Sequence, residues 1–118
     1  MLQPMERRNA TAKNGGNILV YSLGNYISNQ YKDNTVGGGM VRLDFVKEDS
    51  VVKLVNWGYM LTYCSRPQVS GKKNFRIVPV EMDDQLNQQD KNIRDKFLRN
   101  MNNLFDKHNV DFGPYKKK

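Results

Sequence analysis

The sequence predicts an α+β protein, with a mostly antiparallel sheet of about four strands followed by one C-terminal amphipathic helix. Three observations predict it. Met40 to Lys47 alternates apolar and polar residues and is followed, after Glu48-Asp49-Ser50, by a second β-prone run from Val51 to about Tyr63. Shorter runs rich in β-branched residues stand at 17–21 and 74–80, each preceded by a glycine-containing turn. Helical spacing occurs between about Asp84 and His108, where Ile93, Phe97, Met101, Leu104 and Phe105 form one stripe.

Taken in order, residues 1–16 are expected to be an extended polar segment closing in Asn14-Gly15-Gly16. Residues 17–110 form the β-rich lobe with its helix, and 111–118 a basic tail that should fray. Asn17-Ile18-Leu19-Val20-Tyr21 is the first buried strand, and residues 28–39, ending in Gly37-Gly38-Gly39, form a loop. The strand from Met40 sets Val41, Leu43 and Phe45 on one face and Arg42 and Asp44 on the other. It should pair with the Val51 strand as a hairpin, with Gly58 marking a bulge or kink. Pro79 ends the last strand or places it along an edge. On the helix, Asp90–Arg94 and Asp95–Arg99 are spaced as i,i+4 ion pairs, and Glu81, Asp83 and Asp84 suit a helix start.

Composition excludes several classes of chemistry. With one histidine, His108, and one cysteine, Cys64, the chain holds almost no nitrogen or sulfur ligands for a metal site. Cys64 lies in a strand where a buried thiol is expected, and its histidine partner would have to come from the helix end. No apolar run approaches the roughly 20 residues of a membrane span, and Met1 to Arg8 has no signal-peptide core, so no self-directed export is expected. Gly37-Gly38-Gly39 lacks the flanking pattern of a phosphate loop, and Asn9-Ala10-Thr11 is a weak glycosylation pattern.

The net charge of +7 permits binding to nucleic acid or another polyanion. Much of the excess sits at the ends, in Arg7, Arg8, Lys13 and Lys116 to Lys118. Trp57, Tyr59 and Tyr63 could stack bases on a sheet face, but they share the period of the core residues, which disfavours nucleic acid. The stretch with most chemical promise is Ser22-Leu23-Gly24-Asn25, where a hydroxyl, a glycine and an amide interleave with Leu23, Tyr26 and Ile27 at a strand's carboxyl end. That pattern suits a binding site, but a well-packed turn is the reading it favours.

Three segments together, Leu2-Gln3-Pro4-Met5-Glu6, Ile18 to Gln30 and Gly37-Gly38-Gly39-Met40-Val41, resemble the C-terminal part of a known family. It is the bacterial capsule-synthesis family, the CapA or poly-γ-glutamate synthesis proteins, similar in turn to calcineurin-like metallophosphoesterases. Gly58-Tyr59, Ser65-Arg66 and Lys72 to Val80 fit the same pattern, so the resemblance spans about residues 2–105. It implies the C-terminal portion of a metallophosphoesterase-like β-sandwich, a role in capsule polysaccharide or poly-γ-glutamate biosynthesis, and a membrane-associated or extracytoplasmic parent.

In that family a Gly-x-His-Pro-His segment immediately precedes the position of Leu2-Gln3-Pro4, and the other metal residues lie further upstream. Met1 is therefore expected to be a start inside a longer protein, and this chain a fragment, inactive alone. The resemblance carries over no catalytic residue, metal ligand or cofactor; a divalent metal would belong to the full-length parent. It places Ser22, Gly24 and Asn25 at the rim of the substrate site, with Tyr26 packed beneath. The expected partners are the missing N-terminal half, a second copy through self-association, and an anionic polymer such as poly-γ-glutamate. A basic binding module for such a polymer or for nucleic acid is the alternative.

Overall fold

The computed structural model describes residues 1–26, 34–65, 68–69, 71–73, 75–83 and 86–117. Its elements are β1 (Met5–Arg8), β2 (Asn17–Val20), β3 (Gly37–Glu48), β4 (Val51–Ser65), β5 (Gln68–Val69), β6 (Lys72–Lys73), β7 (Arg76–Pro79) and α1 (Gln88–His108). All strand pairs are antiparallel, in sheets ordered β1-β2, β3-β4-β7 and β5-β6. The architecture is thus α+β with antiparallel sheets and one C-terminal helix. The strands beyond those predicted are β1 and the β5–β6 pair. Met5-Glu6-Arg7-Arg8 shows no apolar alternation, and two-residue strands are too short to show any.

The β3–β4 hairpin is closed by Asp49 and Ser50, both left-handed at φ 48° and 70°, the primed turn that matches strand twist. Its register steps from Asp44↔Asn56 to Phe45↔Leu54, so the extra residue is Val55 rather than Gly58. Gly58 lies in regular register opposite Arg42 and serves another purpose: a Cβ there would sit 2.2 Å from the Tyr115 Cα. Gly37 to Gly39 open β3 instead of closing a loop. A Cβ on Gly37 would lie 2.2 Å from the Thr62 carbonyl oxygen and 2.8 Å from the Phe97 ring, so the run is a strand interior packed on both sides.

The core gathers Tyr59, Leu61, Tyr63 and Val78 from the central sheet against Phe97, Met101 and Phe105 of α1. Leu2 and Met5 are fully buried in it, so the N-terminal segment is extended but not simply polar. Cys64 is likewise buried, within β4. Asn87 caps α1 by accepting from the Asp90 N–H at 2.8 Å. The Asp90 carboxylate does not pair with Arg94. It accepts from Tyr63 Oη at 2.9 Å and Ser65 Oγ at 2.8 Å, latching the helix start onto β4. Arg94, only 6% exposed, turns instead to the Val80 carbonyl at 2.8 Å and to Asp83 and Asp95. A buried guanidinium must satisfy its donors locally, and that requirement overrides the i,i+4 pairing along the helix surface.

The tail is docked as far as Lys116 rather than frayed. Val110 bridges Glu6 and Pro114 bridges Tyr59, both parallel, so residues 109–116 add to the edges of two sheets. Val110 N–H reaches the Met5 carbonyl at 3.1 Å, and Tyr115 N–H the Tyr59 carbonyl at 2.9 Å. Phe112 is 6% exposed and stacks on Tyr59 with ring centroids 6.4 Å apart. Arg7 is held as firmly: its guanidinium lies 4.0 Å over the Trp57 ring, bonds the Gly15 carbonyl and pairs with Asp111. Phe112→Ala should therefore cost about 3–5 kcal/mol in urea unfolding. A loss under about 0.5 kcal/mol would place Phe112 among ordinary surface positions.

Candidate functional site

β2 ends at Val20, and the chain then runs as a narrow ribbon between the N-terminus and β3. Leu2 bridges Leu23 and Gly24 bridges Gly38, both antiparallel. Gln3 N–H donates to the Ser22 carbonyl at 3.1 Å, Gly39 N–H to the Leu23 carbonyl at 2.8 Å, and Asn25 N–H to the Gly37 carbonyl at 3.2 Å. Gly24 is left-handed at φ 73°, and a Cβ there would meet the Leu2 backbone nitrogen at 2.9 Å. Ser22 Oγ accepts from Gly24 N–H at 3.2 Å, while Asn25 Nδ2 donates to the Thr35 carbonyl at 2.9 Å.

The three sequence-predicted rim residues are thus brought together; the Ser22 Oγ bond closes the turn, and the Asn25 Nδ2 bond ties it to the segment before β3. The Ser22 hydroxyl proton has no acceptor among the described residues. Tyr26 does not pack beneath: it is 51% exposed, beside Leu23 at 45% and Tyr21 at 60%. The inward position is already filled by the fully buried Leu2, which leaves the larger side chains facing outward. Ile27 to Gln30 of the same motif lie outside the described residues, as do Arg66, Ser70 and Asn74.

Charged clusters flank this ribbon and the tail. The Glu6 carboxyl is held below its ordinary range by Arg8, with the Tyr21 hydroxyl adding to the effect at 3.3 Å. The Asp44 carboxyl is held down first by the Tyr115 hydroxyl and then by Arg42, whose guanidinium lies 4.8 Å over the Tyr115 ring. Asp44 in turn pushes the Tyr115 hydroxyl up. Burial pushes the Tyr59 hydroxyl up as well.

Other sequence candidates are dispersed. Cys64 is 1% exposed in β4 opposite Ile77, and His108 is exposed on the last turn of α1, so the thiol faces no substrate-accessible surface. Tyr59 and Tyr63 are buried at 9% and 1% exposure, and Trp57 lies under Arg7, so these three rings form no open stacking face. Among the described residues, no group of three His, Cys, Asp or Glu side chains could hold a metal ion, and no helix is long and apolar enough to cross a membrane. Grooves open elsewhere, one of about 270 Å³ between Val36 and the Ile93–Phe97 face of α1.

Comparison with protein-family models, curated proteins and solved structures gave no match. Two features escaped sequence reasoning: the Asp90 latch and the tail. The sequence signals were an acid in the first helical turn and Gly113-Pro114 beside an aromatic pair, both of which also suit solvated ends.

Gly24→Ala should cost about 1–3 kcal/mol from its left-handed backbone, against about 1 kcal/mol for Ser22→Ala. Chemical denaturation of both variants checks the ranking, and a neutral Gly24→Ala would contradict the close contact with Leu2. For Asp44, a depressed folded pKa means that its latch to the Tyr115 hydroxyl stabilises above the ordinary aspartate range and loses that contribution as pH falls through the depressed value. The raised Tyr115 hydroxyl works in the opposite sense, its contribution present below the ordinary phenol range and lost as pH rises through the raised value. Tyr115→Phe should move the Asp44 titration, followed by carboxyl NMR shifts, upward toward the ordinary range.

Proposed function

We propose that this chain supplies the C-terminal β-rich lobe of a CapA-like capsule or poly-γ-glutamate biosynthesis protein and positions the rim of a site whose metal-binding part lies on another segment. One observation carries this reading. The segments that bear the resemblance, Leu2 to Glu6, Ile18 to Tyr26 and Gly37 to Val41, are separate in sequence yet adjacent in space, joined by the Leu2↔Leu23 and Gly24↔Gly38 bridges. A shared sequence signature that folds into one ribbon suits a surface kept for a single task.

The chemistry of the ribbon supports positioning rather than catalysis. It offers the Ser22 hydroxyl proton, while Gly24 is packed against Leu2 and the Asn25 amide is bonded to the Thr35 carbonyl, and it pairs no nucleophile with a base. Leu19, Tyr21, Leu23 and Tyr26, each more than two-fifths exposed, would give an upstream half of the protein an apolar surface to rest on.

The purified 118-residue chain is expected to show no divalent-metal-dependent phosphoesterase activity, and measurable turnover there would contradict the division of labour proposed. The family reading itself is tested by the DNA 5′ of Met1. An in-frame Gly-x-His-Pro-His segment supports it, and an in-frame stop codon directly before Met1 counts against it. Poly-γ-glutamate binding by the exposed Lys13, Lys116 and Lys117 is the secondary proposal, and it requires an affinity that falls steeply with salt.

A further inference from the structure

The two long edges of the β3–β4 hairpin are finished differently. Along β4 the outer edge is covered at successive points: Leu54 by the Asn14 carbonyl, Tyr59 by Gly113 and Tyr115, Leu61 by Val80, and Thr62 to Ser65 by β7. Along β3 the cover stops at Gly39, whose N–H bonds Leu23. Strand alternation fixes what is left. The Val36 carbonyl bonds Cys64 N–H, which turns even-numbered residues toward β4, while Gly37 and Gly39 bond outward to the ribbon. Val41, Leu43 and Phe45 continue that outward set. Among the described residues, nothing bonds their N–H and C=O groups.

We propose that this edge, from Met40 to Val46, is where a second copy of the chain adds antiparallel, centred on Leu43. Charge complementarity is the first support. Pairing about Leu43 sets Arg42 opposite Asp44 of the other copy, and the two-fold symmetry repeats the pair. These are the non-hydrogen-bonded positions, where side chains approach most closely. Ladders centred on Arg42 or Asp44 would instead oppose like charges and aim the wrong backbone groups across the junction. The bond Arg42 Nε already makes to Asp44 at 3.0 Å leaves the other guanidinium donors available.

Apolar matching is the second. Met40, Phe45 and Val46 are 45%, 58% and 42% exposed. About Leu43, Phe45 falls opposite Val41 and Met40 opposite Val46, so each exposed side chain meets an apolar one. Proteins blunt free edges with prolines, bulges or inward charges. The bulge at the Asp44/Phe45 step puts its extra residue, Val55, on β4, so β3 keeps its alternation and its charges alternate in sign so that the edge complements itself. This pairing stands apart from the capsule-family reading, since it uses β3 alone.

Sedimentation of the full chain over a concentration series tests it, with circular dichroism checking that each variant is folded. The wild type is expected to show a monomer–dimer equilibrium. Arg42→Asp and Asp44→Arg should each weaken it by roughly ten- to hundredfold, because every cross-pair becomes like-charged. Mixing the two variants should restore a dimer, since residues 42 and 44 are then of opposite sign across both pairs. Phe45→Pro removes an outward N–H but no bond to β4, and should also weaken association. A wild type that stays monomeric overturns the proposal. So does undiminished dimerisation of the single variants, which would place the contact elsewhere, as on the Leu19, Tyr21 and Leu23 face. Weakened single variants that fail to rescue one another would trace the loss to the Asp44–Tyr115 latch and overturn it equally.

Discussion

The pairing of residues 109–116 with both β1 and β4 is the constraint on which the rest of the structure depends. The β1–β2 hairpin has only four residues per strand, and isolated hairpins of that size are marginal in water. The tail ties it to the central sheet, through Val110 on the Met5 side and Gly113 to Tyr115 on the Tyr59 side. Asn109 makes the corner, its Oδ1 accepting from Met5 N–H at 2.7 Å and its Nδ2 donating to the Phe112 carbonyl at 3.1 Å. Phe112 then closes the core over Tyr59, whose edge also meets Phe105 at 4.9 Å. Without the tail, the helix would still cover β4, but the N-terminal hairpin would lose the β1-side backbone bonds that tie it to the tail.

A second constraint follows from the first. Once Leu2 and Met5 are drawn into the core, the chain leaving β2 must pass close to β3, and the backbone can approach only where side chains are absent. Gly38 meets that need toward the ribbon, where a Cβ would stand 2.7 Å from the Leu23 carbonyl oxygen, Gly24 meets it toward Leu2, and Gly37 toward Thr62 and Phe97. These glycines serve close contact, and Gly24 also supplies a left-handed backbone at φ 73°. Their spacing explains why a Gly-rich run can open a twelve-residue strand.

The hairpin and helix were legible because each carries a period that local sequence preserves: two along Met40 to Lys47, and close to four along Ile93 to Phe105. The turn at Ser22 to Asn25 was legible as an anomaly, since a buried-looking strand ran on into polar residues. What stayed hidden was held by backbone bonds between distant segments, as in β1 and the tail, which leave no periodicity behind. Asp90 and Arg94 were misread for a related reason. The i,i+4 rule describes a solvated face, whereas these two side chains answer to Tyr63, Ser65 and the Val80 carbonyl across the helix–sheet junction.

The way the ribbon uses its polar groups also limits what a rim could do there. The Asn25 amide and the Ser22 oxygen lone pair already stabilise the turn, so a ligand that competed for them would have to offset the bonds it displaced. The groups able to act without that cost are the Ser22 hydroxyl proton and the outward rings of Tyr21 and Tyr26. The exposed rings of Tyr21 and Tyr26 would select by shape and by apolar contact, and contribute little charge. Under the capsule-family reading, the charge needed for phosphoryl or carboxylate chemistry must then come from the metal-bearing segment, with this lobe fixing where the substrate lies against it.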